Sequence, residues 1–185
     1  MSTEEPAFTL EKKFPNFEIR QYGETWVAET QVNSPFEKAG NEAFRRLAGY
    51  IFGDNVSKAK IAMTAPVTQT ATSEKIAMTA PVSQIRTGDG FTVQFTMPAG
   101  YTRDTLPTPK DPSVTLRAVP PRRVAVLRYS GSWSESIYRD KVAFLKKELD
   151  QEKLIPMGEP TFARFNSPMQ LWFLRRNEIW IEVRP

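Results

Sequence analysis

KIAMTAPVTQTATSEKIAMTAPV, residues 60–82, spells one octapeptide twice, at 60–67 and again at 75–82. In an extended chain, successive side chains point to opposite faces. The first copy then sets Ile61, Met63, Ala65 and Val67 on one face; the second sets Ile76, Met78, Ala80 and Val82. One row falls on odd positions and the other on even ones. Opposed residues of an antiparallel pair share a face, so a tight turn near residues 70–72 lets both rows meet one core. A slip of one residue would turn a whole row outward. The expectation is two neighbouring strands of one sheet. Pro66 and Pro81 belong at strand ends, because each lacks a ladder donor. Two copies make a local duplication, and no solenoid follows.

Working outward, FEIRQY (17–22) and TWVAETQV (25–32) alternate as strands. Ser34, Pro35 and Glu37 occupy the N-cap, N1 and N3 positions of a capping box. The helix it opens runs to about Phe52, before Gly53-Asp54-Asn55. Phe36, Gly40, Ala43, Leu47 and Ile51 recur every three or four residues and mark its inner face. Ala39, Gly40, Ala43, Ala48 and Gly49 keep this helix thin, which suits close packing on a sheet or the approach of a flat ligand. FTVQFTMP (91–98) is a further strand, and the proline-rich 101–113 a connecting loop.

The second half repeats the order. VTLRAV (114–119) and RRVAVLRYSG (122–131) read as strands. Ser132-Trp133-Ser134-Glu135 is a second capping pattern. The helix after it ends near Gln151, with Ile137, Tyr138, Val142, Leu145 and Leu149 inward. EPTFARFN (159–166) and NEIWIEV (177–183) close the chain as strands. Strand, strand, helix, strands, twice over, predicts an α+β fold: a distorted antiparallel β-barrel with two flanking helices, pseudo-twofold from two βαβ-like halves. Residues 1–185 read as one domain, since neither half is self-sufficient.

Composition narrows function. The 185 residues include 25 Lys and Arg against 21 Asp and Glu, a net charge of +4. The basic residues are scattered in pairs such as Arg45-Arg46 and Arg122-Arg123, unlike the single basic element of a nucleic-acid binder. The sequence holds no Cys and no His. Thiolate chemistry, disulfides and imidazole catalysis are excluded, as are His and Cys ligation of zinc or haem iron. The opening MSTEEPAFTLEKKF has no apolar core of the kind a secretory leader carries. No apolar run nears the roughly 20 residues of a membrane span. The expectation is a soluble, cytoplasmic monomer.

At this point the residues carry a resemblance. FEIRQYGETWVAET, both KIAMTAPV copies, PPRRVAVLRYSGSWSE and FLRRNEIWIEV resemble, in that order, the SOUL/haem-binding protein family, over roughly residues 8–184. The resemblance implies a distorted barrel of two βαβ-like halves. It also implies a protein that binds haem or a related porphyrin as a carrier or buffer, without needing it to fold. The fold type is similar to effector-binding domains of bacterial regulators. By the resemblance, the ligand lies on an apolar patch beside the first helix, near the loop before RRNE. The family's basic positions there fall at Asn41, Gly49 and Leu171, none of them charged. Phe44, Ala48, Met169 and Trp172 keep the apolar lining, and Arg45 stands one helix position away as a carboxylate partner. Asn41, Phe44, Arg45, Ala48, Met169, Leu171 and Trp172 are thus the candidate tetrapyrrole-binding residues, with no catalytic residue and no metal ligand.

Other readings stay open. Met63 and Met78, or Tyr22, Tyr50, Tyr129 and Tyr138, offer sulfur or phenolate to iron, or simply pack. In Arg175-Arg176-Asn177-Glu178, alternation puts Arg176 and Glu178 on one face, and the cluster reads as an ion-pair network, as an anion site or as an acid/base pair. No Ser-His pair, GxSxG, P-loop or dinucleotide fingerprint occurs. Two alternatives to a tetrapyrrole binder remain: an effector-type module for another flat or amphipathic molecule, and a hydrolase or tetrapyrrole-modifying enzyme using Glu178.

Overall fold

The computed structural model describes residues 3–58 and 72–185. Eleven strands and two long helices follow in order: β1 Phe8–Lys13, β2 Glu18–Tyr22, β3 Thr25–Val32, α1 Phe36–Ile51, β4 Asn55–Val56, β5 Val82–Thr87, β6 Gly90–Thr96, β7 Thr108–Pro109, β8 Thr115–Val119, β9 Arg122–Ser130, α2 Glu135–Gln151, β10 Pro156–Arg164 and β11 Arg176–Val183. Nine strands form one antiparallel, curled half-barrel sheet in the order β1-β2-β9-β11-β10-β5-β6-β3-β8, and β4 pairs with β7 apart from it.

Four strands on each side of the β10–β5 junction correspond in order, and β1 is an addition beyond β2. Around it, β9, β11 and β10 of the second half mirror β3, β6 and β5 of the first. Each half also lends a strand to the other, since β2 pairs with β9 and β8 pairs with β3. The expected α+β architecture with two pseudo-symmetric halves is what forms.

Alternation divides the sheet cleanly. Ala125, Leu127, Phe162, Ile179 and Ile181 face the helices and join Phe36, Ala39, Ala43, Leu47, Leu145 and Leu149 in the main core. Val124, Val126, Ala163 and Trp180 face the other way and pack with Tyr22. Each large side chain sealed in this way contributes about 1.5–3 kcal/mol. The helical spacing of α1 performs as expected: Phe36, Gly40, Ala43, Leu47 and Ile51 are all buried. Among the Tyr side chains, the Tyr50 hydroxyl donates to Pro107 O and that of Tyr138 to Pro160 O of β10, so both pack and tie neighbouring segments.

Three expectations are corrected. First, the second octapeptide copy is not a strand. Residues 75–81 lack strand structure apart from a bridge between Thr79 and Glu4, and β5 begins only at Val82. Ile76 and Ala80 are buried as read, but Met78 is exposed. The backbone there is satisfied by other partners, Ile76 N donating to Ile51 O and Ala80 N to Glu4 O. The first copy, with Met63, and hence the pairing of the two copies, lies outside the described residues. Second, the sheet uses β5, which pairs β6 through the turn before Gly90, and adds β1 ahead of the expected first strand.

Third, neither capping box closes on itself. Pro35 and Ser134 precede the helices without side-chain caps. Ser34 Oγ donates instead to Glu42 Oε2. The Glu37 carboxylate accepts from the backbone N–H of Glu135 at 3.0 Å, so the first turn of α1 caps α2. That bond, then one from its own backbone, holds the Glu37 carboxyl below the usual range.

Candidate functional site

The candidate residues sit on two elements. Asn41, Phe44, Arg45 and Ala48 lie along α1. Asn41 and Arg45 are exposed, Phe44 is 37% exposed with its ring 5.5 Å from that of Phe95, and Ala48 is buried. Met169, Leu171 and Trp172 lie in the loop between β10 and β11, where Trp172–Leu174 forms a short 3-10 turn. This loop bares a run of apolar side chains: Met169 is 94% exposed, and Leu171, Trp172, Phe173 and Leu174 are each more than half exposed. So dense a run of exposed apolar residues marks a binding surface better than scattered ones do.

The two elements are joined through Trp133, through Arg175 of the RRNE run and through Arg164, which the motif reading passed over. Arg164 ends β10 on the helix side, the face of Phe162, and is only 7% exposed. Its guanidinium lies under α1 at Gly40, where a Cβ would overlap Nη2. It also lies 4.7 Å from the centre of the Trp133 ring, and the Arg175 guanidinium lies 4.4 Å from that same centre. Arg175 in turn donates to Gln170 O at 2.8 Å and Pro168 O at 2.7 Å, fixing the loop that carries Met169. The glycine read as room for a packing partner or a flat ligand is filled by the Arg164 side chain. Arg164 was legible in principle, since alternation puts it on the inner face with Phe162, but nothing local said that its charge would stay inside.

RRNE splits between the two faces. Arg176 and Glu178 do share a face, and they form the ion-pair network. Glu178 is fully buried and accepts from Arg176, from Arg20 at 3.2 Å and from Trp180 Nε1 at 2.7 Å. Arg176 also reaches Glu5 at 2.9 Å. Burial works to lower the Arg20 pKa, but the Glu178 charge and bonds to Tyr22 and Glu18 carry it above its ordinary value. With every partner in place, Glu178 is occupied as a structural anion. Asn177, on the helix face, accepts from Trp133 Nε1 at 2.9 Å and donates to Gly131 O at 3.0 Å.

A cleft of about 760 Å³ opens elsewhere, between the N-terminal segment, β3 and residues 96–104. Glu4, Glu5, Glu24 and Asp104 line it against a single Arg103, with Trp26 and Tyr101. That charge set repels a dicarboxylic porphyrin. Among the described residues no group of His, Cys, Asp or Glu could hold a metal ion, and no helix is long and apolar enough to cross a membrane.

The family profile for SOUL heme-binding protein matches residues 3–182. Mouse heme-binding protein 2 is 28% identical over 169 residues, covering 90% of this chain and 77% of that one. Heme-binding protein 1 of Xenopus tropicalis is 26% identical, covering 92% and 85%. Among solved structures, a hydrolase from Listeria innocua superposes with a TM-score of 0.63 at 12% identity, covering 94% of each chain. The EcmrR C-terminal domain superposes with a TM-score of 0.61 at 11% identity, covering 90% of this chain and 95% of that one. At such identities these two similarities establish the fold alone.

Proposed function

The chain belongs to the SOUL heme-binding protein family, and from that premise we propose that it binds haem or a related tetrapyrrole reversibly on the surface between α1 and the loop before β11. It sequesters or carries the ligand as a cytoplasmic monomer, without turning it over. The observation that carries this reading is the run of exposed apolar side chains from Met169 to Leu174, tied through Arg175, Trp133 and Arg164 to the helix of Phe44. A tetrapyrrole is a flat apolar plate with anionic edges. The residues present fit that group: aromatic and aliphatic surface for the plate, arginines for the edge.

Phe44, Trp172 and the edge of Ala48 contact the macrocycle. Met169 and Leu171 flank it, Asn41 offers an amide, and exposed Arg45 meets a carboxylate. Bound haem would supply redox-active iron. This chain's residues hold the ring by its faces and edges, since the sequence has no His or Cys to ligate the metal.

The test is titration of purified protein with hemin and with metal-free protoporphyrin, read by the Soret band and by quenching of the four Trp. Saturation at one equivalent is expected for both, and linear, unsaturable uptake of both overturns the reading. A second reading, an effector-type module for another small molecule, is favoured by the acid-lined cleft. It predicts that an amphipathic cation saturates where the porphyrins do not.

A further inference from the structure

Among the described residues two arginines are almost fully buried, and the fold treats them in opposite ways. Arg20, 6% exposed, is bonded to the carboxylates of Glu18 and Glu178. Arg164, 7% exposed, makes no hydrogen bond or ion pair among the described residues, and its Nε is sealed without any partner. A buried cation without a counter-charge is costly, and such groups are normally paired. The nearest charge acting on it makes matters worse. Burial first, and repulsion from Arg175 second, push the Arg164 pKa down to about 10. Arg175 makes no ion pair among the described residues either; its bonds go to backbone carbonyls.

The surroundings hold this unpaired cation in place. Asn177 fixes the Trp133 ring by accepting its N–H, and the missing Cβ of Gly40 leaves the guanidinium its space under α1. Arg175, on the same ring, anchors the loop that bares Met169, Leu171 and Trp172. A preformed cation costs little further ordering when an anion arrives. What fits is one carboxylate attached to an apolar body.

We propose that Arg164, held under α1 against the Trp133 ring, is the seat for a carboxylate of the ligand held between α1 and the loop before β11. The proposal deepens the tetrapyrrole reading and rests on it for the identity of the apolar body. It assigns the principal anionic contact to a strand residue under the helix, and leaves exposed Arg45 an outer one. The shared chemistry is a carboxylate on an apolar frame, supplied by a tetrapyrrole propionate or by a simpler amphipathic acid.

The experiment compares the wild-type chain with Arg164→Met and Arg164→Lys, each first checked for native circular dichroism. Probes are protoporphyrin, its dimethyl ester and sodium dodecanoate, read by Trp quenching and by the shift in melting temperature. Loss of a charge-assisted bond predicts roughly 10-fold or more weaker protoporphyrin binding by Arg164→Met. The ester should bind wild type and variant alike. Arg164→Lys, which keeps the charge but loses the fork, should fall between. Equal protoporphyrin affinity in wild type and Arg164→Met overturns the seat while leaving the tetrapyrrole reading intact. If neither porphyrin saturates wild type, the tetrapyrrole reading fails and dodecanoate decides. Thermal stabilisation of wild type but not of Arg164→Met then supports a seat for another acid, and equal or no stabilisation overturns it. If Arg164→Met does not fold, Arg164→Lys carries the comparison by itself.

Discussion

Trp133 Nε1 donates to Asn177 Oδ1 at 2.9 Å across 44 residues of sequence, and this bond fixes the ring on which both Arg164 and Arg175 lie. One motif position thereby shapes a surface that it does not itself reach.

Asn177→Leu keeps the branched shape but strands the Trp133 N–H and the Gly131 carbonyl. A cost of about 1–3 kcal/mol is expected in urea unfolding, from the buried groups left without partners. Protoporphyrin binding should weaken in the folded protein as the ring loosens.

Glu178 is the hub for Arg20, Arg176 and Trp180, so Glu178→Gln leaves a buried guanidinium facing a neutral amide. The expected loss is about 1.5–3 kcal/mol, the weight of charge-assisted bonds, because Arg20 keeps Glu18 and Arg176 keeps Glu5. Arg176→Met should cost less, because Arg176 is partly exposed and Arg20 keeps its anion. If Glu178 were catalytic, turnover would vanish in a folded Glu178→Gln protein; porphyrin affinity is expected to survive there.

Trp172 is 60% exposed, so Trp172→Ala should change stability by less than about 0.5 kcal/mol. Its effect belongs in binding, where loss of a stacking face should weaken protoporphyrin on the order of 10-fold. Arg45→Glu should likewise leave the melting temperature alone and weaken binding less than Arg164→Met does.

Alkaline pH should unfold the protein through its tyrosines. Burial raises the phenols of Tyr101 and Tyr138 to about 12 and lifts Tyr22, Tyr50 and Tyr129 as well. The folded state holds these protons more tightly than the unfolded chain. The stabilisation is therefore complete below the ordinary value of 10.0 and is lost as pH climbs toward 12. Arg164 works the other way above about 10, one group against five. Denaturation midpoints should stay level from about pH 6 to about pH 9, where a chain without His or Cys has little to titrate, and then fall. Absorbance of tyrosinate at each pH checks the assignment.

Periodicity by itself determined most of the elements. The spacing of Phe36, Gly40, Ala43, Leu47 and Ile51 specified the buried face of α1, and alternation specified β2, β3 and β9 and placed Arg176 with Glu178. Those rules are local: they need only the pitch of a helix or the pleat of a strand. Tertiary structure alone decided that Glu37 caps α2, that the halves exchange β2 and β8, and that residues 75–81 bond to residues 4 and 51 in place of pairing as a strand. It alone left Arg164 buried without a carboxylate. Each of these depends on which distant groups share a neighbourhood, and a charge inside a fold is set by what surrounds it in space, which no local pattern of residues encodes.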